Sequence, residues 1–291
     1  MEACDYPKST YYNKPKGSGS KRGKPASKFT LKKDGKQVSN AQVLEDIIWI
    51  LGQEFVDYGY LKVTYWLRDE KDYIINAKKV YRLMRENGLL NRFIPRKKSK
   101  RNWVKELLPP TKEAFDYLEF DIKYIYVAGR NTNALLLTVI DVKTRWVLGH
   151  YFAWSIKKKE VINLFEQVFE NHPLPKSIYV RCDNGSQFIA QTVQQYFAKK
   201  EGVTQEFCKP ATPEQNAHIE SYHSILERVV CQRYEFETLQ EAGETLNRFI
   251  KFYNFERIHS GVGYTSPYKY LKKLNIEMKL FNLTNPLDCR K

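Results

Sequence analysis

The chain has 291 residues, of which 42% are hydrophobic, and this is enough for a substantial core in one or two domains. It contains no run of about 18 apolar residues and no apolar signal core at the N-terminus, so neither a membrane span nor a secretory leader is predicted. The cysteines form no C-x-x-C pair, which argues against a zinc knuckle or a disulfide framework and favours a reduced, cytoplasmic setting.

The formal net charge of +15 predicts a polyanionic partner, and most of the excess lies in one part of the chain. Residues 1–110 hold 24 Lys and Arg against 12 Asp and Glu, whereas residues 111–291 hold 24 against 21. A short charge run is usually a solvated face. A whole basic segment beside a nearly balanced one favours nucleic acid as the partner.

The first third of the chain predicts a basic arm followed by three short helices. Residues 1–38 are rich in Lys, Gly and Ser, and we interpret them as a flexible arm. Helical periodicity then appears in “AQVLEDIIWILGQEF”, “YGYLKVTYWLRDE” and “NAKKVYRLMRENGLL”. In the third segment, Asn76 is a plausible N-cap and Gly88 a plausible stop.

A basic stripe runs along one face of the third predicted helix, because Lys78, Arg82 and Arg85 have the spacing of one helical face. Three short helices that end in a basic one suit a helix-turn-helix DNA-binding domain, which we place at residues 39–92. The alternative is a small helical bundle with a solvated basic face. Residues 93–112 predict a basic interdomain linker that follows DNA phosphates, with Lys97, Lys98 and Arg101 as contacts.

From Phe115 onward the pattern becomes rich in β-strands. Three strand patterns are followed by alternating helices and strands and by two final helices, at about 217–233 and 239–254. This order predicts a mixed sheet flanked by helices, which is the ribonuclease H-like α/β architecture. We assign residues 113–256 to this core and residues 257–291 to a C-terminal extension.

Three carboxylates become candidates for catalysis in that fold. Asp121 interrupts the apolar strand “LEFDIKYI”, where an unpaired charge is costly to bury. Asp183 ends the fourth strand, and Glu220 lies early on the first of the two final helices, so the three side chains can converge. Taken singly, Asp183 suits a turn and Glu220 a solvated helix face. Asp141 is better explained by the hairpin turn that follows it.

Convergent carboxylates repel one another unless a cation lies between them. Mg²⁺ prefers oxygen ligands and is usually held by a few carboxylates together with substrate phosphate. Two such ions, about 3.5–4 Å apart, serve phosphoryl displacement by activating the attacking oxygen and stabilising the leaving oxygen. We therefore expect two Mg²⁺ or Mn²⁺ ions at this site.

The motifs “FDIKYI”, “CDNGSQF” and “PEQNAHIESYHSILE”, in this order, resemble the DDE catalytic core of insertion sequence 3 family transposases, which are relatives of retroviral integrases. The 36 residues between Asp183 and Glu220 are close to the family's usual interval. The stretch “FYNFERIHSGVGYTSPYKY” resembles the family's C-terminal signature. The segment “YGYLKVTYWL…INAKKVYRLMRENGLLNR” resembles its helix-turn-helix.

The resemblance implies that Asp121, Asp183 and Glu220 are the catalytic residues and the metal ligands. It further implies supporting roles for three residues around them: Asn184 and Gly185, which shape the turn after the second Asp, and Asn216, which we also expect to be the N-cap of the helix.

Two positions depart from the family pattern. Glu227 stands where Lys or Arg is common, and Arg228 lies about 100° further around the helix. Gln215 stands where Asp is usual, and it is polar enough to keep the turn.

The implied activity is metal-dependent cleavage and strand transfer of double-stranded DNA at transposon ends and a target, by a homo-oligomer in the bacterial cytoplasm at the nucleoid. The alternatives are a ribonuclease H-like nuclease that does not join strands and a non-catalytic DNA-binding protein derived from a transposase. The family also joins this catalytic frame to an upstream, OrfA-type segment. Since no leucine heptads are present, we expect that segment as a separate partner or fusion.

Overall fold

A computed structural model gives the structure of the protein and describes residues 27–91, 111–209 and 213–278. The first range forms what we call the N-terminal unit, three helices beside a small antiparallel sheet of strand order β2-β1-β3. Its elements are β1 (Phe29–Lys32), β2 (Gln37–Ser39), α1 (Asn40–Leu51), α2 (Tyr60–Glu70), β3 (Tyr73–Ile74) and α3 (Ala77–Glu86). The three helices agree with the periodicity of the sequence.

The third helix begins and ends at the residues that the sequence indicates. The side chain of Asn76 accepts a hydrogen bond from the backbone N–H of Lys78 at 2.8 Å, which is the N-cap geometry. The helix ends at Glu86, and Gly88 follows with a φ of +67°, a conformation that glycine adopts without strain. Both predicted boundaries are confirmed.

The prediction of a flexible arm is wrong for the part of it that forms strands β1 and β2. These strands make a hairpin, in which Asp34 Oδ1 accepts the N–H of Lys36 at 3.0 Å and Gly35 has a φ of +83°. The turn and the pairing with β3 order this segment in spite of its basic composition. Residues 1–26 lie outside the described residues.

The second unit, which we call the sheet unit, is a five-stranded sheet of order β6-β5-β4-β7-β8 with helices on both faces. Strands β4, β5 and β6 are antiparallel, whereas β7 and β8 run parallel to β4. The strands are β4 (Tyr117–Val127), β5 (Thr132–Asp141), β6 (Val147–Ala153), β7 (Ile178–Cys182) and β8 (Val203–Phe207). This is the predicted ribonuclease H-like arrangement, with the first and fourth of its strands adjacent.

Helices cover the two faces of the sheet and form two separate hydrophobic cores. Helices α4 and α5 pack on one face through residues such as Phe165 and Phe197, and helices α6 and α7 pack on the other through residues such as Tyr222 and Phe249. The helices are α4 (Lys158–Asn171), α5 (Gln191–Ala198), α6 (Ala217–Leu226), α7 (Leu239–Phe255) and α8 (Pro267–Lys273).

The predicted helix at 217–233 differs from the structure in its second half. Helix α6 ends at Leu226 and continues as a π-helical turn, Glu227–Cys231, in which the N–H of Gln232 bonds to the carbonyl of Glu227 at 2.9 Å. Apolar periodicity does not distinguish these two helix types over a single turn.

Most of the predicted linker, residues 93–110, lies outside the described residues.

The described part of the predicted C-terminal extension, residues 257–278, packs against the N-terminal unit. Ile258 is buried in the hydrophobic core of that unit, and the Tyr264 ring stacks on the Tyr65 ring with centroids 4.2 Å apart.

Among the described residues, no helix has the length and apolar character needed to cross a membrane.

Candidate active site

Asp121 lies in the middle of β4, on the sheet face that α6 covers. Its side chain is 23% exposed. The pKa of Asp121 is raised to about 7, chiefly by burial. The hydrogen bond from the N–H of Ile122 lowers this pKa, whereas the charges of Asp183 and Glu220 raise it. The strand that carries Asp121 and the strand that precedes Asp183 are adjacent in the sheet, and the charges of Asp183 and Glu220 both act on Asp121.

Asp183 follows the last residue of β7 and begins a tight turn. Its Oδ1 accepts the N–H of Gly185 at 2.9 Å, while Asn184 Nδ2 donates to the carbonyl of Cys208 at 3.0 Å. A Cβ atom on Gly185 would lie 2.8 Å from Gln187 Nε2 and 3.0 Å from Asp183 Oδ1, so a side chain there would crowd the Asp183 carboxylate. The bonds of Asn184 and Gly185 hold Asp183 at the end of the strand.

Glu220 is exposed in the first turn of α6, and the short Pro213–Asn216 segment leads into that helix. Asn216 occupies the N-cap position, as predicted, but its side chain makes no capping bond. Its backbone angles, φ −111° and ψ 29°, are not the extended ones that such a bond requires. Asn216 Oδ1 is buried and has no hydrogen-bond partner within the described parts of the chain.

The donor set suits a hard cation, since it consists of carboxylate oxygens. Within the described ranges, however, no three His, Cys, Asp or Glu side chains are grouped closely enough to hold a metal ion as they stand. One oxygen each of Asp121 and Asp183 accepts a backbone N–H in this arrangement. The chemistry of the set therefore fits Mg²⁺ or Mn²⁺, although its present geometry is not a coordination shell.

Two further basic side chains, those of His223 and Lys123, lie beside the carboxylates, and the sequence interpretation assigned neither a role. His223 Nδ1 is 3.6 Å from Asp121 Oδ2, and burial, with Lys123 adding to the effect, lowers the pKa of His223 to about 4. Lys123 Nζ lies 2.8 Å from Glu227 Oε2. Strand alternation places Lys123 on the same face as Asp121, so the i+2 spacing was the available signal.

Glu227 is thus an ion-pair partner of Lys123 at the position where the resembling family often has a cation. Arg228 does not take that place, because its guanidinium points to the N-terminal unit, with Nη2 3.0 Å from Asp57 Oδ2. Gln215, the other departure, accepts the N–H of Lys209 through its side-chain oxygen at 2.7 Å. The polar side chain at position 215 therefore bonds to the backbone of Lys209.

The predicted DNA-contacting residues of α3 differ in their surroundings. Lys78 and Arg85 are exposed, whereas Arg82 is half-buried, with Nη2 3.4 Å from the carbonyl of Ser27 and Nε 3.9 Å from Glu86. Lys78 and Arg85 are thus available to a partner and Arg82 is partly engaged within the unit. Three other predicted contacts lie outside the described residues: Lys97, Lys98 and Arg101.

Comparison with known proteins identifies both units. Residues 112–213 and residues 201–267 each match an integrase core domain family, and residues 39–98 match the HTH-like domain family. The two integrase core matches together extend over more than half of the 291-residue chain.

Among curated proteins, the transposase for insertion sequence element IS904 of Lactococcus lactis subsp. lactis (strain IL1403) is 30% identical over 149 residues, which cover 50% of this chain and 58% of that protein. The insertion element IS407 uncharacterized 31.7 kDa protein of Burkholderia multivorans (strain ATCC 17616 / 249) is 27% identical over 252 residues, which cover 85% of this chain and 87% of that protein. Among solved structures, the catalytic core domain of BIV integrase matches 55% of this chain and 97% of its own length, with 16% identity and a TM-score of 0.41.

Proposed function

We propose that this chain, which belongs to the integrase core family and is related to insertion-sequence transposases, catalyses metal-dependent cleavage and strand transfer of DNA at the ends of an insertion sequence. The aligned region spans little more than half of the length of the Lactococcus transposase. The whole activity is therefore stated as a proposal. The observation that supports it is that the strand of Asp121 and the strand that precedes Asp183 are adjacent, while the helix of Glu220 covers the same sheet face as Asp121.

The electrostatics of this group favour a cationic cofactor. Burial and two neighbouring carboxylates raise the pKa of Asp121 to about 7, so its ionised form is unfavourable near neutral pH unless positive charge is supplied. We propose that Asp121, Asp183 and Glu220 hold two Mg²⁺ or Mn²⁺ ions. When bound, such a pair activates the attacking oxygen and stabilises the leaving oxygen of a phosphoryl displacement.

The surrounding residues have supporting roles in this proposal. The turn bonds of Asn184 and Gly185 hold the Asp183 carboxylate at the strand end. His223, whose pKa is lowered to about 4, is neutral at physiological pH and so does not compete with the ions as a fixed positive charge. Lys123, held by Glu227, places one cation next to the carboxylates, where a DNA phosphate would lie.

Double-stranded DNA is the proposed substrate, both as transposon end and as target. We propose that α3 provides phosphate contacts through Lys78 and Arg85, and we propose Lys97, Lys98 and Arg101 as further contacts on the basis of the sequence. A homo-oligomer on DNA, acting at the nucleoid of the bacterial cytoplasm, would bring two ends together. An upstream, OrfA-type segment would sharpen recognition of the ends, and comparing this chain with an N-terminally extended fusion on matched and scrambled end DNA tests that part.

The test of the activity is a cleavage and strand-transfer assay with Mg²⁺ or Mn²⁺ on DNA that carries the insertion-sequence ends. Asp121→Asn, Asp183→Asn and Glu220→Gln should each remove both reactions and leave the fold intact. Glu201→Gln is the matched control, since this exposed carboxylate precedes β8, at the opposite end of the parallel strands from Asp183, and should leave both reactions unchanged. Metal-free Asp121→Asn protein should unfold at the same temperature as the wild type or higher, because a buried charge is removed.

The alternatives give different results in the same assay. Cleavage without joining by the wild-type protein would indicate a ribonuclease H-like nuclease. DNA binding without either reaction would indicate a non-catalytic DNA-binding protein. Robust strand transfer by Asp121→Asn protein would refute the site assignment itself.

A further inference from the structure

Two buried charged residues lie side by side at the centre of the sheet, each two residues before a carboxylate of the candidate site. Glu119 on β4 is 1% exposed and Arg181 on β7 is 4% exposed, and they are direct partners in the parallel strand register. Because side chains alternate along a strand, Glu119 shares the face of Asp121, and Arg181, as the register partner of Glu119, lies on the same face. Neither residue has a place in the proposed chemistry.

Glu119 caps the helix that carries Glu220. Its Oε2 accepts the backbone N–H groups of His218 at 2.9 Å and of Ile219 at 2.8 Å, and its Oε1 lies 2.8 Å from His218 Nδ1. These are the N2 and N3 positions of α6, which the N-cap side chain usually satisfies. Asn216 makes no such bond, so a side chain from the sheet replaces it, and the helix dipole favours the negative charge.

Arg181 holds the residue just before the N-cap. Its Nη1 donates to the carbonyl of Gln215 at 2.9 Å, and its Nη2 donates to Glu206 Oε2 at 2.8 Å. Its guanidinium also lies over the Tyr117 ring, 4.8 Å from the centroid. These contacts on three sides restrict Arg181 to one orientation, and with it the backbone at the start of α6.

We propose that Glu119 and Arg181 are positioning residues that fix Glu220 relative to Asp121 and Asp183. Glu220 directly follows Ile219, whose N–H is bound by Glu119, so the strand that carries one catalytic carboxylate sets the position of the helix that carries another. A displacement of about 1 Å at a reacting centre can reduce the rate about 100-fold. The catalytic consequence rests on the proposed function, whereas the anchoring of the helix does not.

The test compares Glu119→Ala and Glu119→Gln with Thr238→Ala. Thr238 is a matched control, because its side chain caps a different helix, α7, by accepting the N–H of Glu241 at 3.1 Å. Amide hydrogen exchange of peptides covering residues 216–222 reports the anchoring, and the metal concentration for half-maximal cleavage reports the position of Glu220. Both are measured well below the unfolding temperature.

We expect Glu119→Ala to accelerate exchange in the first turn of α6 and to raise the required metal concentration, each by about tenfold. Glu119→Gln should give a smaller change in the same direction, since a neutral acceptor makes weaker bonds than a carboxylate. The KM for DNA should stay within about twofold, because no phosphate contact is altered. Thr238→Ala should change neither measurement.

Exchange and metal requirement at wild-type values in Glu119→Ala would overturn the proposal. If that variant does not fold, Glu119→Gln decides in the same way: faster exchange with a raised metal requirement supports the proposal, and wild-type values for both overturn it. A wild-type protein that neither cleaves nor joins DNA refutes the proposed function alone. The exchange comparison needs no activity and still decides whether Glu119 anchors the helix.

Discussion

A buried ion pair joins the N-terminal unit to the end of the sheet unit, and its removal should be strongly destabilising. Arg257 Nη2 lies 2.7 Å from Asp57 Oδ1, with the Arg257 side chain 1% exposed and the Asp57 side chain 14% exposed. Arg257 Nε and Nη1 have no hydrogen-bond partner among the described residues, so Asp57 is the main compensation for this charge. Asp57→Ala would leave the guanidinium buried and unpaired.

The expected destabilisation follows from the burial of both groups. Removing one partner of a buried pair costs about 3–5 kcal/mol, because the other charge stays desolvated. The second contact of Asp57, with the half-exposed Arg228, adds only about 0–1 kcal/mol. For a total of about 3–6 kcal/mol, at about 2–4 °C per kcal/mol, the unfolding temperature of Asp57→Ala should fall by roughly 6–24 °C. Circular dichroism during heating measures the change, with urea unfolding as a second probe.

Two variants separate the buried pair from its surroundings. Arg228→Ala removes the exposed partner and should cost no more than about 1 kcal/mol. Adding Arg257→Met to Asp57→Ala keeps an apolar side chain of similar reach and removes the unpaired charge, so it should recover part of the stability. If Asp57→Ala is no more destabilising than Arg228→Ala, or if Arg257→Met makes it worse, the reasoning is refuted.

The same pair gives a pH dependence with a defined sign. Burial by itself raises the pKa of Asp57, but Arg257 and Lys62 more than offset this and lower it below the ordinary 3.8. A lowered folded-state pKa contributes stability that is present above the unfolded value and lost as the pH falls through the folded value. The difference in stability between wild type and Asp57→Ala should therefore shrink below pH 3.8.

Two further predictions concern DNA binding and the hairpin between β5 and β6. Lys78→Ala and Arg85→Ala should each weaken DNA binding, as measured by fluorescence anisotropy over a salt series. The negative slope of log K against log salt concentration should become shallower by about 0.9 for each phosphate that is no longer neutralised. An unchanged slope would exclude α3 from the DNA interface. Asp141→Ala should cost about 2–4 kcal/mol in urea unfolding, and Asp141→Asn less, because the buried carboxylate accepts bonds from Phe115 and Thr144; a cost below about 0.5 kcal/mol would contradict this role.

The sequence was sufficient for the parts of the fold that depend on local patterns. Strand alternation and helical periodicity indicated the order of elements in the sheet unit, and the caps of α3 were visible in Asn76 and Gly88. Asp121 stood out because a charge in an apolar strand requires an explanation. Asp141 was correctly set aside, since its carboxylate is occupied by its own hairpin turn.

The sequence was insufficient where a residue's role depends on a distant partner. Glu119 has the pattern of an ordinary strand residue, and only the fold shows that it meets the start of a helix about 100 positions later. The pairing of Asp57 with Arg257 joins residues that are even more remote. The β1–β2 hairpin was missed because its strands are short and its Lys-rich composition dominated the local pattern.

The segment after α7 has a structural role that its motif alone did not indicate. Arg257 pairs with Asp57, Tyr264 stacks on Tyr65, and Lys269 Nζ lies 2.5 Å from Asp69 Oδ2. All three contacts hold the N-terminal unit against the sheet unit. Because the basic helix α3 belongs to one unit and the carboxylates to the other, this segment fixes the proposed DNA-contacting helix relative to the candidate site. Weakening it should therefore impair the positioning of bound DNA at the carboxylates before it impairs DNA affinity, since the contacts of α3 remain intact.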